Sequence, residues 1–230
     1  MVPSGITSAV TATPASVAGL YVGTSGWSYP PWRGGFYPEK ARPQDFLRLY
    51  SERLPSVELN AAGYRLPAEA QFGTWASQVP REFRFAVKLP RQITHAGRLE
   101  GVGTFCERVR LLDANLGPLL VQLVRPRDEG FLLLLRDSLD PQLEVAFEVR
   151  HGSWEGVDLP VRVNSLAGEA PFRYLRLREP PYDDDALAAW AERLRPLLDD
   201  GVRIYCYFKH EDEPTAPAYA KRLLQLAGAG

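Results

Sequence analysis

Short apolar runs of strand length alternate with stretches whose apolar residues recur every three or four positions, from Leu20 to the C-terminus. The runs predict buried strands and the periodic stretches predict surface helices; their alternation predicts a parallel sheet covered by helices. Strands are expected near Leu20–Thr24, Ser56–Asn60, Phe83–Lys88, Leu119–Leu123, Glu144–Val149, Val161–Asn164, Arg173–Leu177 and Arg203–Phe208. About eight strands close a (β/α) barrel. Helices are expected over Pro43–Leu54, Pro67–Gln78, Thr104–Asn115, Asp183–Leu198 and Thr215–Leu226. Asp183–Asp185 suits a helix N-terminus, and Asp200-Gly201 a stop before the last strand. Between Trp154 and Phe172 little room remains for full helices. The fold class is therefore α/β, a TIM-like barrel, irregular or incomplete between its fifth and seventh strands.

Side chains alternate across a strand, so in a closed barrel one set meets the helices and the other fills the lumen. Tyr205, Tyr207 and Lys209 share one face of the last strand; Tyr174, Arg176 and Arg178 share one on the strand before it. Ala146, Glu148 and Arg150 repeat the pattern, Glu58 and Asn60 share parity, and single polar residues, Lys88 and Gln122, mark the third and fourth strands. Parallel strands buried on both faces ordinarily read as continuous apolar runs, so recurrent charge on one face needs a cause. The C-terminal mouth supplies one, because successive strand ends converge there. Lys88, Arg150, Arg176 and Lys209 outnumber Glu58 and Glu148, which favours an anionic ligand. The competing reading is an ion-pair network that only fills the lumen.

Charge over the whole chain narrows the partners. Its 27 Lys and Arg against 28 Asp and Glu leave no broad basic field for nucleic acid or an anionic membrane. Two cysteines, Cys106 and Cys206, provide neither a metal-ligand spacing nor a disulfide framework. Residues 1–18, rich in Ser, Thr, Ala, Pro and Val, read as a mobile leader without the features of a secretory signal, followed by a single barrel domain over 19–230. No apolar run reaches membrane-spanning length, and a cytoplasmic location is expected.

Several segments carry a resemblance: Tyr21-Val-Gly-Thr-Ser-Gly-Trp-Ser-Tyr29, Phe36-Tyr-Pro38, Val57-Glu-Leu-Asn60, Tyr64-Arg-Leu-Pro67, Phe85-Ala-Val-Lys88, Ile93-Thr-His95, Leu119-Leu-Val-Gln-Leu123 and Phe147-Glu-Val-Arg-His-Gly-Ser-Trp154. In order and spacing these resemble the YecE-like family, the domain of unknown function numbered seventy-two, over most of the chain from Leu20 onward. The resemblance implies a TIM-like barrel and no established activity. It places Trp27, Glu58, Asn60, Tyr64, Arg65, Lys88, His95, Gln122, Glu148, Arg150, His151 and Trp154 at or just beyond strand ends. The chain departs from the family where an Arg, one apolar residue and His-Gly usually follow one another: here Arg176-Leu-Arg-Glu179 stands. Paired Asn after Phe is replaced by Lys209-His210, and Asn60 is followed by Ala61-Ala-Gly63 rather than Ser-Thr-Phe.

Three histidines, His95, His151 and His210, follow strands on loops, too few for a multi-zinc centre. No cofactor is predicted, although a single divalent cation on Glu58 and Glu148 fits a hard ion's need for oxygen ligands. Gly23-Thr-Ser-Gly26 reads as a tight turn before a phosphate cradle. Trp27, Tyr29, Trp32, Phe36 and Tyr37 read as a small satellite core before a stacking platform. The leading expectation is an enzyme, a hydrolase or isomerase, acting on a phosphate-bearing substrate. Glu148, Glu58 and Lys88 are its candidate catalytic residues. Trp27, Asn60, Tyr64, Arg65, His95, Gln122, Arg150, His151, Trp154, Arg176 and Lys209 are its candidate binding residues. The alternatives are a non-catalytic nucleic-acid-binding barrel and a degenerate interaction scaffold.

Overall fold

The structure, a computed structural model, describes residues 17–60, 66–209 and 212–228. Most of the expected leader, together with Tyr64, Arg65 and His210, lies outside the described residues. The described residues form seven parallel strands: β1 (Leu20–Thr24), β2 (Ser56–Leu59), β3 (Arg84–Lys88), β4 (Leu116–Leu123), β5 (Val145–Val149), β6 (Phe172–Leu177) and β7 (Arg203–Phe208). They are ordered β5-β4-β3-β2-β1-β7-β6 and curl into a nearly closed barrel whose seam lies between β5 and β6. Helices α1 (Phe46–Ser51), α2 (Glu69–Ala76), α3 (Arg91–Thr94), α4 (Val102–Val109), α5 (Glu129–Ser138), α6 (Asp184–Asp199) and α7 (Thr215–Ala227) lie between and after the strands.

The strand expected at Val161–Asn164 is instead one parallel bridge, between Phe147 and Arg162. Its cause is a change of partner. Phe147 N–H donates to Val161 C=O at 2.8 Å and Val163 N–H to Phe147 C=O at 2.9 Å, after which Asn164 N–H turns to Tyr174 C=O on β6 at 2.9 Å. Asn164 makes that turn at φ 64°, a left-handed conformation that Asn tolerates better than most residues. Its side-chain amide then serves as a rung of the ladder: Oδ1 accepts from Arg176 N–H at 2.7 Å and Nδ2 donates to Arg176 C=O at 3.2 Å. The seam is thus stitched by an asparagine where a full strand would not fit.

Alternation along the strands sorts the two cores as expected. Val22, Val57, Phe85, Val87, Leu119, Val121, Phe147, Leu175, Ile204 and Phe208 point outward into the core shared with the helices. Ala86, Leu120, Ala146, Phe172, Tyr174, Tyr205 and Tyr207 fill the lumen. β1 passes so close to β2 that a Cβ at Gly23 would lie 1.8 Å from the carbonyl oxygen of Ser56. Only glycine fits there.

Helix boundaries follow local chemistry. Asp183 caps α6 by accepting from Ala186 N–H at 2.8 Å, and Gly201 ends the connection at φ 76°. The helix expected over Pro43–Leu54 is a 3-10 turn at Pro43–Asp45 followed by the short α1, and that expected over Thr104–Asn115 starts at Val102 and tightens to 3-10 from Arg110. α5 was not foreseen, because four consecutive leucines hide its period. Asp128 caps it at 2.8 Å through Phe131 N–H; Leu132 and Leu135 are buried while Leu133 and Leu134 face solvent. Among the described residues no helix is long and apolar enough to cross a membrane.

Candidate functional site

The site forms where lumen-facing polar side chains reach the C-terminal ends of the strands. Glu58 on β2 is fully buried, and Arg176 on β6 meets it with both arms of its guanidinium: Nε donates to Oε2 and Nη2 to Oε1, each at 2.8 Å. The third nitrogen of Arg176, Nη1, donates to Glu148 Oε2 at 2.6 Å. One guanidinium therefore bridges both glutamates, using the planar fork geometry that a lysine lacks. The β4–β5 register sets Gln122 beside Glu148, and its amide donates to the same Oε2. Tyr174 OH donates to Glu58 Oε2 at 3.0 Å, and Ser25 Oγ to Oε1 at 3.2 Å. Arg178 Nη2 reaches both Ser25 Oγ at 3.1 Å and Glu58 Oε1 at 3.3 Å.

This arrangement decides the protonation of the carboxylates. Burial alone would raise Glu58, but the charge and hydrogen bonds of Arg176, then the charge of Arg178, hold it at about 2, well below its ordinary 4.5. Glu148 is also lowered: burial opposes ionisation, and Arg176 and Gln122 overcome it. Both glutamates are ionised at neutral pH and are weak bases. The cation between them is the protein's own guanidinium, which occupies the oxygens a divalent ion would need. Among the described residues no three His, Cys, Asp or Glu side chains gather as metal ligands.

Lys88, at the end of β3, is half-buried, and its ammonium makes no hydrogen bond or ion pair with any described residue. Burial and then the neighbouring Arg176 lower its pKa, against the pull of Glu58 and Glu148. A cleft of about 470 Å³ opens above the network, lined by Lys88, Arg150, Arg176 and Arg178 with Ser25, Tyr29, Asn60 and Gln122. Glu58 and Glu148 back its floor. Four cations against two carboxylates leave two positive charges facing the opening; Glu179 lines only the adjoining cleft. Arg150 is exposed and holds Glu148 Oε1 at 3.3 Å, whereas Arg178 Nε is buried without a hydrogen-bond partner among the described residues.

The predicted residues divide into those at this cleft and those beside it. Glu58, Asn60, Lys88, Gln122, Glu148, Arg150 and Arg176 come together. Trp27 lies in an adjoining groove, edge to face with Trp75 at 5.6 Å. His95 hydrogen-bonds Thr94 Oγ1 through Nδ1 at 2.9 Å and does not line the cleft. His151 is exposed and caps the turn at Gly152–Trp154, its Nδ1 accepting from Ser153 N–H at 3.2 Å. Trp154 turns back into the outer core, where its indole N–H donates to Arg125 C=O at 2.8 Å. Lys209 stands exposed past the end of β7, so Arg178 supplies the fourth cation in its place. Ser25, Tyr29 and Arg178 were not among the predicted site residues. Strand parity already sets Arg178 on the face of Tyr174 and Arg176, and the same rule points to Ser25, two residues beyond Gly23.

Of the aromatic loop, Trp32, Phe36 and Tyr37 are buried, and Tyr37 stacks on Phe46 with ring centres 4.4 Å apart. They form the satellite core rather than an open platform.

Comparison with known proteins gives one consistent answer. Residues 21–166 and 156–230 match the family model described as "Protein of unknown function DUF72". The chain is 31% identical over 140 residues to the UPF0759 protein YecE of Escherichia coli (strain K12), covering 57% of this chain and 48% of that protein. It thus spans about half the length of the curated relatives it matches. Among solved structures it is similar to a DUF72 family protein from Enterococcus faecalis V583, at TM-score 0.70 and 16% identity over 92% of this chain and 96% of that one. A second, from Thermotoga maritima MSB8, aligns at TM-score 0.64 and 24% identity over 90% and 97%. Strand pattern, barrel and family model agree that the chain belongs to the DUF72 family.

Proposed function

We propose that the barrel mouth binds an anionic, phosphate-bearing small molecule and acts on it as a hydrolase or isomerase. The observation that carries this reading is Lys88: a half-buried ammonium aimed at a cleft, with no carboxylate of its own, beside an Arg178 whose Nε has no partner among the described residues. A half-buried ammonium with no hydrogen-bond partner among the described residues, beside the like charge of Arg176, is costly, and an anionic ligand would relieve it. Glu58 and Glu148 hold Arg176 in place, and their lowered pKa leaves them poor proton acceptors. Proton transfer falls instead to Lys88, whose pKa burial and the neighbouring Arg176 lower from its ordinary value. Fixed guanidinium groups around it would stabilise charge developing on phosphate oxygens.

Calorimetric titration with inorganic phosphate tests this. Wild type should bind saturably, and Lys88→Met should weaken binding by about tenfold or more, the effect of one lost charge-assisted hydrogen bond. Thermal unfolding of the variant should stay near wild type, since Lys88 holds no other group. Absence of phosphate binding at low salt, or equal affinity in the variant, overturns the reading. The alternative of a nucleic-acid-binding barrel, with the aromatic loop on bases and the basic mouth on phosphates, predicts oligonucleotide binding that weakens steeply with salt.

A further inference from the structure

The cationic cleft does not end at its own walls. Tyr29 and Asn60 also line a second depression, a groove of about 560 Å³ between the loop after β1 and helices α1 and α2. The two spaces therefore meet along a shared edge, and their chemistry differs. Among its described lining residues the groove carries no Lys, Arg, Asp or Glu. Its walls are the rings of Trp27 and Trp75 and the amides of Gln44, Gln71 and Gln78. None of these three amides hydrogen-bonds another described side chain or backbone group, so each presents a free donor and a free acceptor.

A depression with charge at one end and aromatic rings with neutral amides at the other sorts a ligand into an anionic head and an uncharged polar body. The ring geometry narrows the body. Trp27 and Trp75 meet at 87°, so they form a corner and not a parallel slot. A flat nucleobase is held best between parallel faces, whereas a saturated sugar ring is apolar on its faces and hydrogen-bonding around its rim. A corner of two indoles ringed by amides fits the second shape. The groove volume lies within the range of small-molecule sites.

We infer that the groove is a carbohydrate subsite and that the ligand of the combined site is a sugar phosphate, its phosphate in the cationic cleft and its ring against Trp27 and Trp75. This rests on the anion reading proposed above, and the test separates the two. Affinities are measured by calorimetry for inorganic phosphate, for glucose monophosphate carrying the phosphate on its primary hydroxyl, and for adenosine monophosphate. Glucose monophosphate should bind about tenfold or more tighter than inorganic phosphate. Trp75→Ala should remove most of that gain while leaving the affinity for inorganic phosphate unchanged. Because Trp75 also packs on Phe72, Gln71→Ala, an exposed change on α2, serves as the variant that keeps the packing and should lose part of the gain. If inorganic phosphate binds and the sugar phosphate binds no tighter, the carbohydrate subsite is refuted and the anion site stands. A gain insensitive to both groove variants, or tighter binding of adenosine monophosphate than of the sugar phosphate, also refutes it. If no phosphate compound binds, both readings fall.

Discussion

Replacing Glu58 by Gln removes one charge from the centre of the network and, as protonation would, turns one of its two acceptor oxygens into a donor. Its magnitude follows from the carboxyl's position in the fold. Glu58 titrates at about 2 against an ordinary 4.5, and each unit of difference corresponds to about 1.4 kcal/mol, so ionised Glu58 contributes about 3 kcal/mol at neutral pH. The cost of breaking a buried ion pair from one side, about 3–5 kcal/mol, is of the same order. Because the folded pKa lies below the unfolded one, this contribution is complete above about pH 4.5 and is lost as pH falls toward 2, more than half of it by about pH 3. Urea unfolding of wild type and Glu58→Gln, followed by tryptophan fluorescence at a series of pH values, isolates it. The other carboxylates titrate alike in both proteins and cancel in the difference. The stability gap should be about 3 kcal/mol near pH 7 and should close as pH drops below 4. A gap that stays constant across that range, or is absent at pH 7, would show that Arg176 does not hold Glu58 ionised.

Two other sites carry separable predictions. Asn164→Ala deletes both side-chain rungs to Arg176 and leaves an alanine at positive φ, so it should cost about 2–3 kcal/mol in urea unfolding. Hydrogen exchange should locate the loss in the amide of Arg176; unchanged protection there would contradict the stitched seam. Gly23→Ala places a methyl against the Ser56 carbonyl, a backbone atom that cannot yield alone. Its cost should exceed about 4 kcal/mol, and a stable, soluble variant would mean β1 and β2 can separate.

The lumen face was legible because strand parity is a local property: Tyr174, Arg176 and Arg178, or Ala146, Glu148 and Arg150, declare their shared face within five residues. What lay beyond reach depends on where a strand stops and which way the chain turns. Trp154 follows a strand end like the other candidates, yet a three-residue turn capped by His151 returns it to the outer core. Lys209 has the parity of Tyr207 but falls one residue past the end of β7, and although its N–H still donates to Leu177 C=O at 2.9 Å, the residue is exposed. Val161–Asn164 has the composition of a strand, but pairing is not local, and the segment changes partner after one bridge. Roles were harder still. The charge excess at the mouth could be counted from sequence, whereas the capture of both glutamates by one arginine is a matter of distance.

That capture bears on the chain's departure from its family. Where the family resemblance calls for His-Gly, this protein has Arg178-Glu179, and the place is filled: Arg178 bonds Ser25 and Glu58 at the rim of the cleft. An imidazole there would change charge near neutral pH, while a guanidinium stays charged throughout. Burial lowers Arg178 somewhat, but an arginine starts so high that it remains a cation. The substitution therefore exchanges a titrating group for a permanent one and commits the mouth to positive charge at every physiological pH. Arg176, Arg150 and Arg178 share the two carboxylates of Glu58 and Glu148, so with Lys88 the cluster keeps two positive charges in excess, and of its cations Lys88 alone is able to release a proton. Anion affinity should accordingly decline in the alkaline range as Lys88 loses its proton, and in Lys88→Met that decline should vanish. Phosphate titrations of both proteins across pH 7 to 10 measure it, and an identical pH profile in the two would assign the proton to another group.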